Sequence, residues 1–302
     1  MEVRTIKENE INLFTSLDND PKSFEKTVKK LWKDKLSSPN WCFIIKENEN
    51  IIGRIGFWTP NKNNKSAIIF GLKLINKNND FIEIGTKLLK DSFNIMKQKG
   101  FKYIDSQLDS VDEEFSFNKK LYKNIDMEII QSKYRFKLVT KNYNYSPNNR
   151  LKYKPIKETS KDYFIKILKE VTKKTLDRED KQNLKRHGEL KAAEKHFDSL
   201  SSIEYSPDNW FLGYNDSKVV GLIIPQLLFD SIGTINYIGV VPKNRGNGFV
   251  IDLMDKGIRN LIERDVNEII ADIDTDNRPM KIALNKMGFK EKNSLINYRK
   301  NL

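Results

Sequence analysis

Apolar and polar positions along the 302-residue chain fall into two successive runs of the same order, separated by a polar, Asn-rich stretch at 141–154 that contains Pro147 and reads as a linker. Each run predicts a short strand, helices, two strands joined by a turn, a further apolar strand, a helix, a strand, a short helix and a final strand. In the first run the strand pair is WCFIIKENENIIGRIGFW with the polar ENEN at its turn. SAIIFGLKLI follows as a strand, TKLLKDSFNIMKQKG as an amphipathic helix stopping at Gly100, and KYIDSQLD as a strand. The second run reads WFLGYNDSKVVGLIIPQLLF, then TINYIGVVP, then the helix GFVIDLMDKGIRNLIERD, then the strand EIIADIDTD. NKKLYKNIDMEII in the first run can be laid over IALNKMGFKEKNS in the second. The pattern therefore predicts an α/β chain of two domains, 1–143 and 144–302, built to one design.

With 38% hydrophobic residues the chain can bury a core, and its length fits two domains better than one. No stretch approaches the roughly 18 uninterrupted apolar residues of a membrane span, and the start MEVRTIKENEINLF lacks the flank and run of a signal peptide. The chain reads as cytoplasmic, with no membrane partner. Cys42, alone in an apolar strand, reads as a packed thiol. His187 and His196, nine residues apart with no acidic or thiol cluster beside them, read as solvated helix residues, and no metal site is expected. The excess of 54 Lys plus Arg over 41 Asp plus Glu, a net +13, favours polyanions in general. It is scattered rather than striped, so nucleic acid is the lesser reading.

Chemistry concentrates in residues 237–250, Tyr-Ile-Gly-Val-Val-Pro-Lys-Asn-Arg-Gly-Asn-Gly-Phe-Val, where an apolar strand runs through a Gly-rich turn into a helix. Gly246 and Gly248 permit close backbone approach, and the first amides of a helix lack intrahelical partners and sit at the positive end of its dipole. A pyrophosphate would satisfy those amides, with Lys243 and Arg245 adding charge. A tight strand-to-helix connection holding no ligand is the other reading of a bare glycine pair.

The flanks narrow the choice. Val-x-Pro-x-x-Arg-Gly-x-Gly after a strand, then Asn277, then Lys286-Met-Gly-Phe289, resembles the GCN5-related N-acetyltransferase family, specifically over 236–290 and in element order over the whole second half. The family's turn, Arg or Gln, x, x, Gly, x, Gly or Ala, is matched by Arg245 and Gly248, with Val250 in place of the small residue. The resemblance implies two tandem domains, each a mixed, mostly antiparallel central sheet flanked by helices. It implies acetyl-CoA as cosubstrate and direct attack by an amine in a ternary complex. Backbone near Ile238 and Val240 would pair with the pantetheine arm, the amides of Arg245, Gly246, Asn247, Gly248, Phe249 and Val250 would hold the pyrophosphate, and Asn277 would face the cofactor. The acceptor would be a small-molecule amine.

Many family members carry a tyrosine acid in the helix before the Gly-Phe pair, and Leu284 stands at its place here. Asp272 and Asp274 alternate with Ile273 and are candidates for the amine proton; pairing with basic residues is their other reading. Tyr237 could donate from the strand beside the cleft, or could simply be packed. In the first half, residues 78–85 align with the turn, placing Asp80 at the arginine and Glu83 at the glycine position, where carboxylates would repel a pyrophosphate. That half is expected to keep the fold without binding the cofactor. A noncatalytic module that binds coenzyme A or another polyanion is the alternative to an enzyme.

Overall fold

The computed structural model describes residues 1–60, 65–75, 80–146, 149–229 and 231–302. Pro147 of the linker, and Asn78 and Asn79 of the first-half turn, lie outside the described residues.

The chain forms two compact units, Met1–Ser132 with Leu295–Leu302, and Lys133–Ser294. The first contains β1 (Glu2–Thr5), α1 (Ile11–Thr15), α2 (Pro21–Lys33), β2 (Cys42–Glu47), β3 (Asn50–Trp58), β4 (Ser66–Leu74), α3 (Phe81–Gln98), β5 (Tyr103–Asp109) and α4 (Phe115–Asn124). Strand β6 (Glu128–Val139) begins there and ends in the second unit. The second unit continues with β7 (Lys152–Pro155), α5 (Lys161–Thr172), α6 (Arg178–His187), α7 (Glu189–Ile203), β8 (Phe211–Asn215), β9 (Lys218–Phe229), β10 (Ile232–Val240), α8 (Phe249–Ile262), β11 (Glu268–Asp274) and α9 (Arg278–Lys286). Strand β12 (Lys290–Asn301) begins there and ends in the first.

Strand order in the first unit is β1-β2-β3-β4-β5-β12 and in the second β7-β8-β9-β10-β11-β6. In both, neighbours are antiparallel except one central parallel pair, β4 with β5 and β10 with β11. The two orders coincide strand for strand, with the sixth positions exchanged. Leu295–Asn301 pairs with Asp109–Tyr103, and Lys133–Val139 pairs with Asp274–Glu268. The compact units therefore differ from the division at 143/144 drawn from the repeat. Hydrophobic periodicity identifies a strand but carries no information about which sheet receives it.

Alternation along the strands fills both faces of each sheet. In β9, Ile223 packs with Leu253, Met254 and Ile258 of α8, while Leu222 and Ile224 pack with Phe164, Leu168, Phe197 and Trp210 under α5 and α7. In β2, Phe43 and Ile45 face Leu88, Leu89 and Met96 of α3, while Cys42 and Ile44 face Phe14 and Val28. Cys42 is fully buried, and burial pushes its thiol up to about 12. No helix among the described residues is long and apolar enough to cross a membrane.

Candidate functional site

In the second unit, β10 and β11 are hydrogen-bonded only through Ile232–Thr234 against Glu268–Ile270. Beyond that point the strands part. On the other side of β10 the register with β9 shifts between Ile235 and Tyr237, so that Asn236 is bulged. Bulges bend a strand and raise its local twist. Two side chains hold this one: Asn236 Nδ2 donates to Gln226 Oε1, and the fully buried Gln226 donates to the carbonyl oxygens of Leu200 and Glu204. Pro225, opposite Ile235, has no amide to contribute at the irregular step. The parted strands enclose a cleft of about 510 Å³, with Tyr237, Ile238, Gly239 and Val240 on one wall and Ala271 to Asp274 on the other.

The strand wall leads into the Gly-rich turn. Gly246 and Gly248 take φ of +86° and +75°, the left-handed region that glycine enters without strain. Gly248 caps α8, so the amides of Phe249 and Val250 have no intrahelical acceptor. Among the described residues, the amides of Gly246, Asn247 and Gly248 also donate no hydrogen bond. The turn thus presents a run of five unpaired amides at the positive end of a 14-residue helix.

Arg245 is engaged differently from its expected role. Its guanidinium donates to the carbonyls of Val240 (3.0 Å), Lys174 (3.2 Å), Val171 (2.9 Å) and Lys173 (2.9 Å), and so closes the C-terminal end of α5. Its amide donates to the Pro242 carbonyl, so the free run starts one residue later than the sequence implied. Lys243 is exposed, and neither it nor Asn247 is among the residues lining the cleft; Asn247 Nδ2 turns back to the Asn244 carbonyl at 3.2 Å. Ile238, Val240, Arg245, Gly246, Gly248, Phe249, Val250 and Asn277 do line it. Asn277 also caps α9, accepting from the Met280 amide at 3.3 Å. Leu284 lines the cleft, and its side chain offers no proton.

Acidic side chains also line the cleft: Asp177, Asp180 and Asp274. Burial first, then the charges of Asp180 and Asp274, push Asp177 up to about 6, against a lowering hydrogen bond from the Asp180 amide and the charge of Lys133. Asp274 is 2% exposed and accepts from the Arg178 amide at 2.7 Å. Asp272 also borders the cleft but is held by Arg135, directly across the β6–β11 ladder, through two hydrogen bonds of 2.9 and 2.8 Å. Tyr237 donates its hydroxyl to Asp180 at 3.1 Å, and burial, then that carboxylate, raise its proton affinity well above the ordinary value.

His196, expected to be solvated, is instead a partner in this group. Its Nδ1 lies 3.2 Å from Asp180 Oδ1, and its ring meets Tyr237 edge-on at 4.5 Å. The reason is tertiary: α6 and α7 bring Asp180 and His196 together from separate helices. His187 is exposed. No group of three or more His, Cys, Asp or Glu side chains that could hold a metal ion occurs among the described residues. Sequence reasoning missed Asp177 and Asp180, which open α6 in the run Asp177-Arg-Glu-Asp180, a helix-start signature that names no site.

The first unit shows the same parting of its central strands, β4 and β5 pairing only through Ser66–Ile68 against Tyr103–Asp105. Its helix α3 begins at Phe81, with Asp80 as N-cap and Glu83 in the first turn. Gly85 is enclosed, since a Cβ there would lie 2.7 Å from Leu121 Cδ2.

No family model matches the chain. Over 108 residues it is 24% identical to mycothiol acetyltransferase of Catenulispora acidiphila, a match covering 34% of this chain and 34% of that protein; the chain spans about a third of the length of that curated relative. Among solved structures, the GCN5-related N-acetyltransferase from Sphaerobacter thermophilus is similar with a TM-score of 0.67 at 12% identity, covering 99% of this chain and 95% of that one. A tandem protein of that fold from the clavulanic acid biosynthesis pathway is similar with a TM-score of 0.57 at 9% identity, covering 99% and 98%.

Proposed function

We propose that this chain, which carries the GCN5-related N-acetyltransferase fold twice in tandem, transfers acetyl from acetyl-CoA to a primary amine of a small molecule, by direct attack in a ternary complex formed in its second unit. One observation carries the reading: the edge of β10 that parts from β11 runs straight into a turn of unpaired amides. Such an edge suits an amide-containing pantetheine arm as an added strand, and such a turn suits a pyrophosphate. The cosubstrate supplies an acyl group already activated as a thioester. The chain's own part is to orient it, exclude water and handle a proton.

The acidic side chains of the cleft attract the acceptor as an ammonium, which must lose a proton before it can attack. Asp177, with its carboxyl pushed up to about 6, is the group best matched to that task near neutral pH, with Asp274 beside it. Asp272 is committed to Arg135, and the Tyr237 proton is committed to Asp180, so each acts on the wall rather than at the reacting atoms. Polarisation of the acyl oxygen falls to backbone amides of β10. The first unit, with Asp80 and Glu83 at its helix start, serves as a scaffold and leaves one cofactor site per chain.

Calorimetric titration with coenzyme A, followed by thiol release from acetyl-CoA across a panel of primary amines, tests this. We expect one coenzyme A per chain and release with at least one amine class. No binding at millimolar coenzyme A, or a stoichiometry near two, overturns it. A second reading, a noncatalytic coenzyme A binding module, is favoured by Leu284 at the acid's place; binding with no thiol release across the panel would select it.

A further inference from the structure

Arg150 belongs to the segment that the sequence reads as a linker, yet its side chain reaches the start of α8. Its Nη1 donates to the Asn247 carbonyl at 3.0 Å, its Nη2 reaches Asp252 Oδ2 at 2.5 Å, and its guanidinium lies 5.1 Å from the centre of the Phe249 ring. The Arg150 carbonyl is in turn held by Asn215 Nδ2 at 3.2 Å. One cation thus touches a turn residue, the first residue of the helix and the only acidic side chain in the helix's first turn.

The charges explain why such a clamp is needed. The side chain of Asp252 is 4% exposed, so water screens it little, and it sits one turn from the amides proposed to meet phosphates. Left unpaired, it would oppose an arriving dianion, and the Asn247 carbonyl, if it swung toward the cleft, would do the same. The half-exposed guanidinium cancels the first and turns the second away. We infer that Arg150 is a positioning residue for the phosphates of coenzyme A, acting by neutralising Asp252 and orienting the turn rather than by adding charge to the cleft. The inference rests on the proposed coenzyme A site.

Its test is a double-substitution cycle read by calorimetry, with coenzyme A and, as a ligand lacking phosphate, pantetheine. Arg150→Ala is expected to weaken coenzyme A roughly tenfold or more, and Arg150→Lys by less, since an ammonium replaces the charge but not the fork. Asp252→Asn alone is expected to bind coenzyme A at least as tightly as the unaltered chain. The double variant Arg150→Ala/Asp252→Asn should recover to within about threefold of Asp252→Asn, because the carboxylate that needed cancelling is gone. Pantetheine affinity should be the same in every variant. A double variant as weak as Arg150→Ala, or pantetheine weakened in parallel, overturns the inference by showing a merely structural strut. If the unaltered chain binds pantetheine and coenzyme A equally, or neither, the coenzyme A site itself is refuted.

Discussion

Asp177 illustrates how a single residue can carry both a cost and a use. It caps α6, accepting from the Asp180 amide at 2.9 Å, yet burial and two neighbouring carboxylates raise it from 3.8 to about 6. In the unfolded chain it ionises near pH 4, in the folded chain only near 6, so the folded state holds the extra proton between those values. Its contribution is therefore most favourable below about pH 4, is lost as pH rises toward 6, and is constant beyond. Asp177→Asn keeps a capping side chain and removes the titration. Thermal midpoints of this variant should decline less between pH 4 and 7 than those of the unaltered chain, and the rise of kcat/KM through pH 6 should disappear with most of the activity. Parallel midpoint curves would refute the buried charge. At this scale the sequence exposed what depends on residue type in series: the Gly246 and Gly248 pair, and Leu284 where a proton donor was sought. It concealed what depends on side chains converging from α6, α7 and the segment before β7, such as Asp180 with His196, or Arg150 with Asp252. Tyr122 shows the limit from the other side. The Met127 amide donates to its carbonyl as the Phe289 amide donates to Leu284, so Tyr122 stands where Leu284 stands, but its hydroxyl is buried against Ser106.

At the level of elements, the strand-turn-helix segment β10–α8 was legible because alternation, Pro242 and two glycines all lie within one stretch of chain. The parting of β10 from β11 was not, since it depends on Asn236, Gln226 and Pro225 acting across two strands. Helix α3 begins five residues before the amphipathic stretch read from sequence, at Phe81, whose ring lies 3.7 Å from that of Phe117. Arg245, expected to add charge beside a pyrophosphate, also ties the end of α5 to the turn. Carbonyls at a helix C-terminus carry partial negative charge and attract a guanidinium. Arg245→Ala should thus lower stability of the second unit by about 2–3 kcal/mol, as four acceptors lose a charged donor. Urea denaturation followed by fluorescence of Trp210, with the first unit's tryptophans replaced, measures it. A loss under about 0.5 kcal/mol, with coenzyme A binding gone, would instead favour direct phosphate contact.

Over the whole molecule, the net +13 pointed to anions while the cleft is also lined by Asp177, Asp180 and Asp274, a contrast that composition averages away. The repeat was legible and the exchange of sixth strands was not. Ending the chain after Ser294 removes seven paired positions along β5 and the buried side chains of Leu295 and Tyr298. Their burial is worth roughly 3–6 kcal/mol together, so amide hydrogen exchange should lose protection in β5 while β8 and β9 keep theirs; equal loss in both would argue against the exchange. The same exchange also orders events during synthesis. The second unit's sixth strand, Lys133–Val139, leaves the ribosome before the rest of its sheet, whereas the first unit's sixth strand is made after nearly the whole second unit. At about 5–20 residues per second that interval is on the order of ten seconds. For that time the nascent first unit presents β5 as an open edge, the kind of surface that chaperones and stray strands find first.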